Sequence, residues 1–586
     1  MHIENIYHNY DKHPYREIRG FDNEAWEGSK AIVKEIERHI QDLLKKQDKV
    51  IVNFDFYPGV RKEEIFEMIH MLHPKTLTDM DLLAKPEEVI EKEFNDYMTD
   101  DRVFGIICHK KLKDFFAAEA LAKASETIKT AGPGLHIVAG VGGGLIGKAD
   151  INIYCDITRW EIQLRYRAGM PNWHRSNQDA PNLTKIKCGF FIEWRLADRY
   201  KAERYEDFDY ILETEKSDCP KMITGNAFRT GLDMLSRQPF RLEPYFDPGV
   251  WGGHWMQTKF DLDSEAPNFA WSFDGVPEEN AVNLKFGDVT VKLPAMDLVL
   301  YRPRNLLGDR VYARFGAEFP IRFDLLDTMG GGNLSLQVHP MTKYIQDQFG
   351  MHYTQDESYY FLDADEDEDT YMYLGVKENV DREAMERDLR LAEKGEIQFP
   401  AEKYVNKVPV KKHDHVAIPA GTIHCSGKNN MVLEISATPY IFTFKLWDWG
   451  RVGLDGIPRP IHVDHGMKNI QWDRDTAWIS NNLVHQEKTV YEAEGVQIER
   501  TGLHAMEFID TYRYSLTKPE EVSCDDSVHV VNLVEGKCAQ IQSADGSFEP
   551  FEIHYAETAV IPASVGNYKI VPVDGPIKMI TANVRK

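Results

Sequence analysis

The chain has 586 residues, of which 42% are hydrophobic and 28% are charged, and its formal net charge at pH 7 is −25. This length exceeds what one hydrophobic core accommodates, so several domains are predicted. The acidic balance disfavours a nucleic-acid partner, because such a surface needs a concentration of Lys and Arg. No basic and apolar leader opens the sequence, and no apolar run approaches the ~20 residues of a membrane span. We therefore expect neither a signal peptide nor a membrane partner.

The cysteines are few and scattered. None has C-x-x-C spacing, and they stand at positions 108, 155, 188, 219, 425, 524 and 538. A sparse, odd-numbered set in a long chain is typical of reduced thiols. A cytoplasmic location is therefore predicted.

Residues 1–240 predict an α/β domain whose role the sequence leaves open. An apolar strand at 49–55 is followed by the turn Y-P-G-V-R-K at 57–62 and then by a helix. This layout resembles a degenerate P-loop kinase module. The phosphate-binding pattern G-x-x-x-x-G-K-S/T is missing, however, and Glu63 and Glu64 stand where bare N–H groups are needed. An ordinary turn between strand and helix is the favoured interpretation.

A second glycine-rich run, G-G-G-L-I-G-K at 142–148, also looks superficially like a phosphate-binding loop. The residues that follow, 150–157, alternate as a strand, whereas such a loop must open a helix. We interpret the run as a glycine-rich hairpin. Further strands are predicted at 160–166 and 187–195.

Residues 241–480 show many short strands separated by Gly, Pro and Asp turns, which predicts an all-β jelly roll. Gln337 and His339 are two apart in an apolar run, so on a strand they face the same way. Glu357 opens a second strand, and His424 follows a P-A-G turn after a third. An amide, two imidazoles and a carboxylate suit a borderline divalent ion. With no Cys in the set, we expect a catalytic rather than a structural metal site.

Residues 481–586 predict a second β domain. The run V-I-P-A-S-V-G-N at 560–567 echoes I-P-A-G-T-I-H at 418–424. Counting from the proline, Asn567 stands where His424 stood. An internal pair is therefore predicted, with a metal-free C-terminal copy of structural role.

The motifs together carry a family resemblance. Their order, Q-x-H-P, E-x-x-Y, P-A-G-T-x-H, L-E-I and D-W-G-R, resembles the class I mannose-6-phosphate isomerase family of zinc-dependent cupins. The upstream W-G-G at 251–253 is also similar, and about the C-terminal three-fifths of the chain is covered. The resemblance implies a metal-binding cupin at 241–480 and a small cupin-like domain at 481–586, after the α/β domain at 1–240.

The resemblance also implies an activity. The expected reaction is aldose–ketose isomerisation of mannose 6-phosphate and fructose 6-phosphate, or of a related sugar, through an enediol. Zn²⁺ is the first candidate for the cofactor, and Mn, Fe or Co fit the same ligands. The family pattern assigns catalysis to Glu434 and Arg451, and substrate contact to Ser335. Lys445 is a further candidate for holding a sugar phosphate.

Two departures from the family pattern leave alternatives open. The family lysine two residues before its metal-binding Glu is Gln355 here, and a second family lysine is Asp324. Glutamine can neither act as an acid nor lend positive charge. An isomerase for a different sugar, and a sugar-sensing or regulatory cupin without turnover, therefore remain alternatives. A nucleotide-binding first domain is a third, disfavoured by the missing phosphate loop.

Overall fold

The computed structural model describes residues 7–454, 456 and 458–586. Contacts divide the chain into two compact units. Residues 15–235 and 278–302 form one, called here the α/β unit. Residues 7–14, 236–277 and 303–586 form the other, called the β unit. A mixed α/β part and a larger part rich in β-sheet are thus both present, as predicted.

The α/β unit begins with alternating strands and helices. Its strands are β1 (Arg16–Glu17), β2 (Ala25–Glu27), β3 (Lys49–Phe56), β4 (Thr76–Asp79), β5 (Gly134–Gly140), β6 (Ile151–Asp156), β7 (Tyr210–Glu213) and β8 (Lys221–Thr224). Its helices are α1 (Ser29–Leu44), α2 (Lys62–Met71), α3 (Glu87–Met98), α4 (Ala118–Thr130), α5 (Arg159–Arg167), α6 (Asn182–Cys188), α7 (Trp194–Ala202) and α8 (Gly225–Leu235).

Seven of these strands form one sheet in the order β2-β8-β7-β6-β3-β5-β4. Strands β4, β5, β3, β6 and β7 run parallel to one another, whereas β8 is antiparallel to both of its neighbours, β7 and β2. The central strand β3 is almost entirely buried, which agrees with the near-continuous apolar run of a strand covered on both faces.

The predicted glycine-rich hairpin is wrong. Strands β5 and β6 lie on opposite sides of β3, and both run parallel to it, so residues 141–150 cross over between them. The backbone N–H groups of Gly142, Gly143 and Gly144 all donate to the Asp55 carboxylate, at 3.0 to 3.1 Å. The glycine turn therefore binds an acid of its own chain at the end of β3.

The strands predicted at 160–166 and 187–195 are also wrong. The first lies in α5, and the second runs from α6 through a π-helical turn into α7. Buried Gln163, Arg165, Lys185 and Lys187 explain the error. Polar side chains that are paired inside a unit remove the apolar periodicity from which a helix is normally predicted.

The next segment alternates between the units. Its elements are β9 (Tyr245–Asp247), α9 (Trp255–Lys259), β10 (Trp271–Gly275), β11 (Ala281–Phe286), β12 (Val289–Pro294) and α10 (Met296–Tyr301). Strands β11 and β12 form a hairpin that pairs with β1 and belongs to the α/β unit, as does α10. The domain boundaries predicted at 240 and 480 stay predictions, because units defined by contacts are not thereby shown to fold separately.

The β unit holds the remaining elements. Its helices are α11 (Pro303–Leu307), α12 (Asp309–Phe315), α13 (Thr342–Phe349), α14 (Arg382–Glu393), α15 (Ala401–Tyr404), α16 (Val463–Asn469) and α17 (Thr476–Asn482). Its strands are β13 (Ile321–Asp327), β14 (Leu336–Val338), β15 (Glu357–Ala364), β16 (Tyr371–Val376), β17 (Val405–Pro409), β18 (His415–Ile418), β19 (His424–Ser426), β20 (Asn430–Ala437), β21 (Phe444–Trp447), β22 (Lys488–Ala493), β23 (Val496–Thr501), β24 (Ile509–Leu516), β25 (Glu520–Ser523), β26 (His529–Glu535), β27 (Cys538–Ser543), β28 (Phe551–His554), β29 (Thr558–Ile561), β30 (Asn567–Pro572) and β31 (Ile577–Val584).

These strands form two pairs of antiparallel sheets with one repeated topology. The first pair has the orders β18-β15-β20-β13-β10-β9 and β17-β16-β19-β14-β21. The second has β22-β23-β24-β31-β26-β29 and β25-β30-β27-β28. Strands β13–β20 pair with one another in the same order as strands β24–β31, each strand corresponding to the one whose number is eleven higher. The same eight-strand arrangement therefore occurs twice. The sequence echo between 418–424 and 560–567 falls at the equivalent turn of both copies.

Two further properties concern the whole described chain. All seven cysteines are free thiols. Among the residues described, no helix has both the length and the apolar character needed to cross a membrane.

Inside the α/β unit, a buried lysine joins three elements. Lys201 on α7 binds Asp156 at the end of β6 with 2.5 Å between Nζ and Oδ2, and it also binds Asp297 on α10. Tyr205 donates a hydrogen bond to the same Asp297 at 2.9 Å. All four side chains are buried. Burial by itself lowers the pKa of Lys201, but the two carboxylates raise it by more. The net pKa lies above that of an ordinary lysine, so the ammonium group stays charged.

Replacing Lys201 with Met is predicted to lower the free energy of unfolding by about 3–5 kcal/mol, because two buried carboxylates lose their cation. Urea denaturation of the full chain measures the loss. Lys34→Met, at an exposed position of α1, is the matched control and should change the stability by less than about 0.5 kcal/mol. Equal losses in the two variants would contradict a stabilising role for the buried ion pairs.

Candidate metal centre

Three of the four predicted ligands converge inside the first sandwich of the β unit. One potential ligand atom from each of His339, Glu357 and His424 lies within 4.8 Å of the other two, and all three residues are buried. Glu357 opens β15 in one sheet, whereas His424 opens β19 in the other. His339 directly follows β14, which pairs with β19. The cluster therefore lies between the facing sheets.

The carboxylate lies between the two imidazoles. Glu357 Oε1 is 2.5 Å from His424 Nε2 and 3.3 Å from His339 Nε2. His424 Nδ1 is 3.0 Å from the carbonyl oxygen of Thr422, which can only accept, so Nδ1 carries a hydrogen. In a neutral ring the lone pair of His424 is then on Nε2 and points into the cluster. A carbonyl that fixes the tautomer in this way is a common partner of metal-binding histidines.

Gln337 brings a fourth donor to the same place. It lies directly opposite His424 in the β14–β19 pairing, so the two side chains share a face. The Gln337 Nε2 atom is 3.2 Å from His424 Nε2. Rotating the amide exchanges its nitrogen and oxygen, which presents an oxygen to the cluster.

The cluster has the unsatisfied atoms that a cation requires. Among the described residues, neither ring nitrogen of His339 nor Glu357 Oε1 makes a well-directed hydrogen bond, although all are buried. Burial by itself raises the pKa of Glu357. The neighbouring His339 and His424 lower this pKa by a larger amount, so the net pKa lies well below its usual range. A carboxylate, two imidazoles and an amide oxygen form a donor set that fits Zn²⁺ and also Mn, Fe or Co.

Gln355 connects this cluster to Glu434. Its Nε2 donates to Glu434 Oε1 at 3.0 Å and to Glu357 Oε2 at 3.3 Å. Ser436 also donates to Glu434 Oε1, at 2.8 Å. Burial raises the pKa of Glu434 well above its usual range, and Asp324 and Glu357 raise it further. A raised pKa favours the protonated form of this carboxyl group, and both Gln355 and Ser436 bind its Oε1 and not its Oε2.

Asp324 is part of the same buried group. It lies opposite Glu434 in the pairing of β13 and β20. The Arg322 guanidinium is 3.5 Å from Asp324 Oδ2 and 3.9 Å from Glu434 Oε1. Arg322 also contacts the rings of Phe273 and Tyr440, at 5.1 and 4.5 Å. The Arg322 guanidinium thus pairs with both acids of this buried group.

The two predicted substrate-binding residues, Lys445 and Ser335, differ in how far they are buried. Lys445 is opposite Gln337 in the β14–β21 pairing, so it shares the face of the strand that carries the cluster. It is partly exposed. Ser335 is buried just before β14.

Arg451 is bound to Asp448 beyond the end of β21. Its Nη2 is 2.6 Å from Asp448 Oδ1. Arg459 contacts the other oxygen of the same carboxylate. Two partly exposed guanidinium groups therefore share one buried carboxylate, which leaves a local excess of positive charge in an acidic chain.

Three residues linked to the predicted site were missed in the sequence: Tyr359 beside His424, Arg322 beside Glu434, and Arg459, which shares Asp448 with Arg451. Tyr359 lies two residues after Glu357 on β15, with its ring 5.8 Å from that of His424, and its hydroxyl has no partner among the described residues. The period of two along a strand was a signal that could have found it. Arg322 is two residues from its partner Asp324, a spacing that could have found that pair. The contacts of Arg322 with Glu434 and of Arg459 with Asp448 join separate segments and had no such signal.

A family model and several known proteins each match part of this chain. A family model described as a domain of unknown function (DUF8485) matches residues 28–237. The "Mannose-6-phosphate isomerase" of Streptococcus mutans is 21% identical over 352 residues, which cover 59% of this chain and 98% of that protein. The predicted extent of the resemblance, about three-fifths of the chain, is thereby confirmed.

Solved structures give matches of similar extent. The crystal structure of the mannose 6-phosphate isomerase from Bacillus subtilis is 18% identical, with a TM-score of 0.48, covering 59% of this chain and 99% of that one. A zinc-bound mannose 6-phosphate isomerase is 14% identical, with a TM-score of 0.46, covering 60% and 100%.

Zinc uptake is the direct test of the cluster. After chelation and reconstitution, the full chain is predicted to bind one zinc ion, and His424→Ala to lose it, because a ligand nitrogen is removed. Inductively coupled plasma mass spectrometry measures the zinc, and calorimetry measures the stabilisation, about 2.7 kcal/mol at a free concentration 100 times Kd.

The matched control is His109→Ala, which removes an exposed histidine of the α/β unit. It should bind zinc as the unaltered chain does. Stoichiometric zinc in His424→Ala would show that the metal binds elsewhere.

Proposed function

We propose that the β unit is a metal-dependent aldose–ketose isomerase of the cupin type that acts on a phosphorylated sugar. The observation that carries this proposal is the buried cluster of His339, Glu357 and His424. The similarity over 352 residues to a mannose-6-phosphate isomerase adds the reaction class and suggests mannose 6-phosphate and fructose 6-phosphate as the first substrates.

In this proposal Gln337, His339, Glu357 and His424 hold the ion, with Zn²⁺ as the first candidate. The bound ion supplies Lewis-acid polarisation of the sugar carbonyl. The chain's own residues position the groups that hold this ion. The carbonyl of Thr422 orients the His424 ring, and the 3.3 Å contact from Gln355 restrains Glu357 Oε2.

Glu434 is the proposed group for proton transfer. Isomerisation moves a proton between C1 and C2 of the open-chain sugar, and this needs a group that both gives and takes a proton. The raised pKa of Glu434 favours its protonated form, while Gln355 and Ser436 fix Oε1. Oε2 is then the atom that carries the proton. In its deprotonated form, Glu434 Oε2 takes the proton from one carbon to form the enediol and then returns it to the neighbouring carbon, while the hydroxyl proton moves the opposite way between O1 and O2.

The anionic end of the sugar is assigned to the basic residues near the end of β21. Arg451 and Arg459 share Asp448, and Lys445 shares a face with Gln337. Guanidinium groups bind phosphate oxygens in pairs. Ser335, buried before β14, is the proposed hydroxyl contact.

A coupled isomerase assay on the metal-reconstituted full chain tests the proposal. Mannose 6-phosphate is predicted to turn over, and His424→Ala to abolish turnover. Glu434→Gln should lower kcat by about 10²- to 10⁴-fold, because the variant cannot exchange a proton. The matched control, Glu521→Gln at an exposed position, should leave kcat unchanged. Absence of turnover in a zinc-loaded chain would refute mannose 6-phosphate as the substrate.

A sugar-sensing or regulatory cupin is the second candidate, and Gln355 is the observation that favours it. Its amide bridges two carboxyl groups where the resembled family has a lysine. A sensor would bind zinc and sugar phosphate without turnover, and Gln355→Lys would then create or raise turnover. A lower kcat in Gln355→Lys than in the unaltered chain would favour the isomerase.

The function of the α/β unit remains open, but nucleotide binding is disfavoured. The N–H groups of the glycine turn, which phosphate would need, are taken by Asp55. Lys62, at the start of the helix after β3, is bound by Asp79 and Asp81 at 2.6 and 2.7 Å. The degenerate kinase-like module therefore stays a resemblance.

Mg-ATP and Mg-ADP are accordingly predicted to leave the Tm of the full chain unchanged, because the N–H groups of the glycine turn and the Lys62 ammonium are already bound by carboxylates. Differential scanning fluorimetry over a range of concentrations checks this. A Tm that rises with nucleotide concentration would revive nucleotide binding, since a ligand of the folded state stabilises it.

A further inference from the structure

Residues 469–474 run from the end of α16 to the start of α17 in the β unit, and are called here the strap. They lie against both loops that carry the histidines of the cluster. Asn469 is completely buried, and its Oδ1 accepts a hydrogen bond from the backbone N–H of Met341 at 2.9 Å. Met341 is two residues after His339. The first residue of the strap therefore holds the His339 loop.

The middle of the strap holds the loop that leads to His424. The backbone N–H of Gln471 donates to the carbonyl of Gly421 at 2.9 Å, and the N–H of Gly421 donates to the carbonyl of His339, also at 2.9 Å. Gly421 has a φ of +87°, and a Cβ there would lie 2.9 Å from the Asn469 carbonyl oxygen. Only glycine fits this close approach, so the strap and the two histidine loops meet at one point.

Arg474 closes the strap with the most extensive contacts. It is buried, and its Nη1 reaches the carbonyl oxygens of Pro419 and Ala420 at 2.8 and 2.6 Å and the hydroxyl of Thr422 at 2.6 Å. The carbonyl of Thr422 in turn accepts from His424 Nδ1. Arg474 therefore fixes the residue that sets the orientation of the His424 ring.

The third ligand is tied to the same loop. Asp356, next to Glu357, accepts a hydrogen bond from the backbone N–H of Ala420 at 2.8 Å. Residues 419–422 thus receive contacts from the chain next to all three clustered ligands. Without the strap, this loop would lose the bonds that connect it to α16 and α17.

We propose that the strap is the positioning element of the metal centre, and that Arg474 and Asn469 are its positioning residues. They touch no ligand atom themselves. They set the separation and orientation of the two histidines that a single ion requires. This inference rests on the metal site proposed above and adds a device that determines its affinity. Partners of this kind typically contribute 10- to 100-fold in metal affinity.

The test measures zinc affinity and not only activity. The full chain, stripped of metal, is titrated with zinc in competition with a chromophoric chelator. Arg474→Met and Asn469→Ala are each expected to weaken zinc binding by about 10- to 100-fold. Arg474→Lys keeps the charge and should recover part of the loss. Asp473→Asn, an exposed position of the same strap, is the matched control and should bind as the unaltered chain does.

The Tm of each metal-free variant separates positioning from folding. Variants that lose metal-free stability but keep wild-type zinc affinity would overturn the inference and leave the strap a purely structural element. If Arg474→Met does not fold, Thr422→Val removes one acceptor of Arg474 and is expected to weaken zinc binding by about tenfold. An unchanged zinc affinity in Thr422→Val would likewise contradict the inference that the strap positions the metal centre.

The outcomes also separate this inference from the proposed function. If the strap variants bind zinc as tightly as the unaltered chain does, the inference about the strap is refuted and the proposed function is not affected. A chain whose zinc affinity depends on the strap but that turns over no sugar phosphate supports the strap and refutes the isomerase. An unaltered chain that takes up no zinc refutes both.

Discussion

The candidate metal centre depends on one constraint, the burial of the Glu357 carboxylate inside an apolar sandwich. A charge removed from water is costly unless it is compensated, and the two imidazoles of the facing sheet can compensate it only as protonated rings or by holding a cation together with it. The compensation works only when the sheets, the P-A-G turn and the strap hold their positions together. Most of the site's supporting hydrogen bonds serve this requirement: they orient His424, restrain Glu357 and hold the loop between them.

The second copy of the sandwich shows that the fold itself does not require the cluster. His529 lies opposite Ile561 just as Glu357 lies opposite Ile418, and Asn567 opens β30 as His424 opens β19. His529 is paired with Tyr568 at 2.9 Å, and burial lowers its pKa to about 4. The same strand order therefore accommodates a neutral hydrogen-bonded pair. The chemistry depends on individual residues placed on a shared architecture.

In the α/β unit, polar residues at the carboxyl ends of the parallel strands bind one another. Proteins of this class commonly bind ligands at that edge. Here Asp55 takes up the glycine N–H groups, and Lys201 is held between Asp156 and Asp297. The glycine N–H groups and the Lys201 ammonium therefore have internal partners. These contacts stabilise the unit at the strand ends, where other proteins of this class leave polar groups available to bind a ligand.

The sequence by itself determined the candidate metal set and the likeness of the two sandwich copies. Both follow from short-range regularities: the period of two in Gln337 and His339, and the distance from a proline to His424 or Asn567. Tertiary structure alone decided the position of residues 278–302, the crossover at the glycine turn and the helices at 159–167 and 194–202. It also decided the roles of Arg459, Arg322 and the strap. These features depend largely on contacts between segments that are separated in the chain, such as Arg322 with Glu434 and Arg474 with Pro419. Local periodicity carries no information about such contacts.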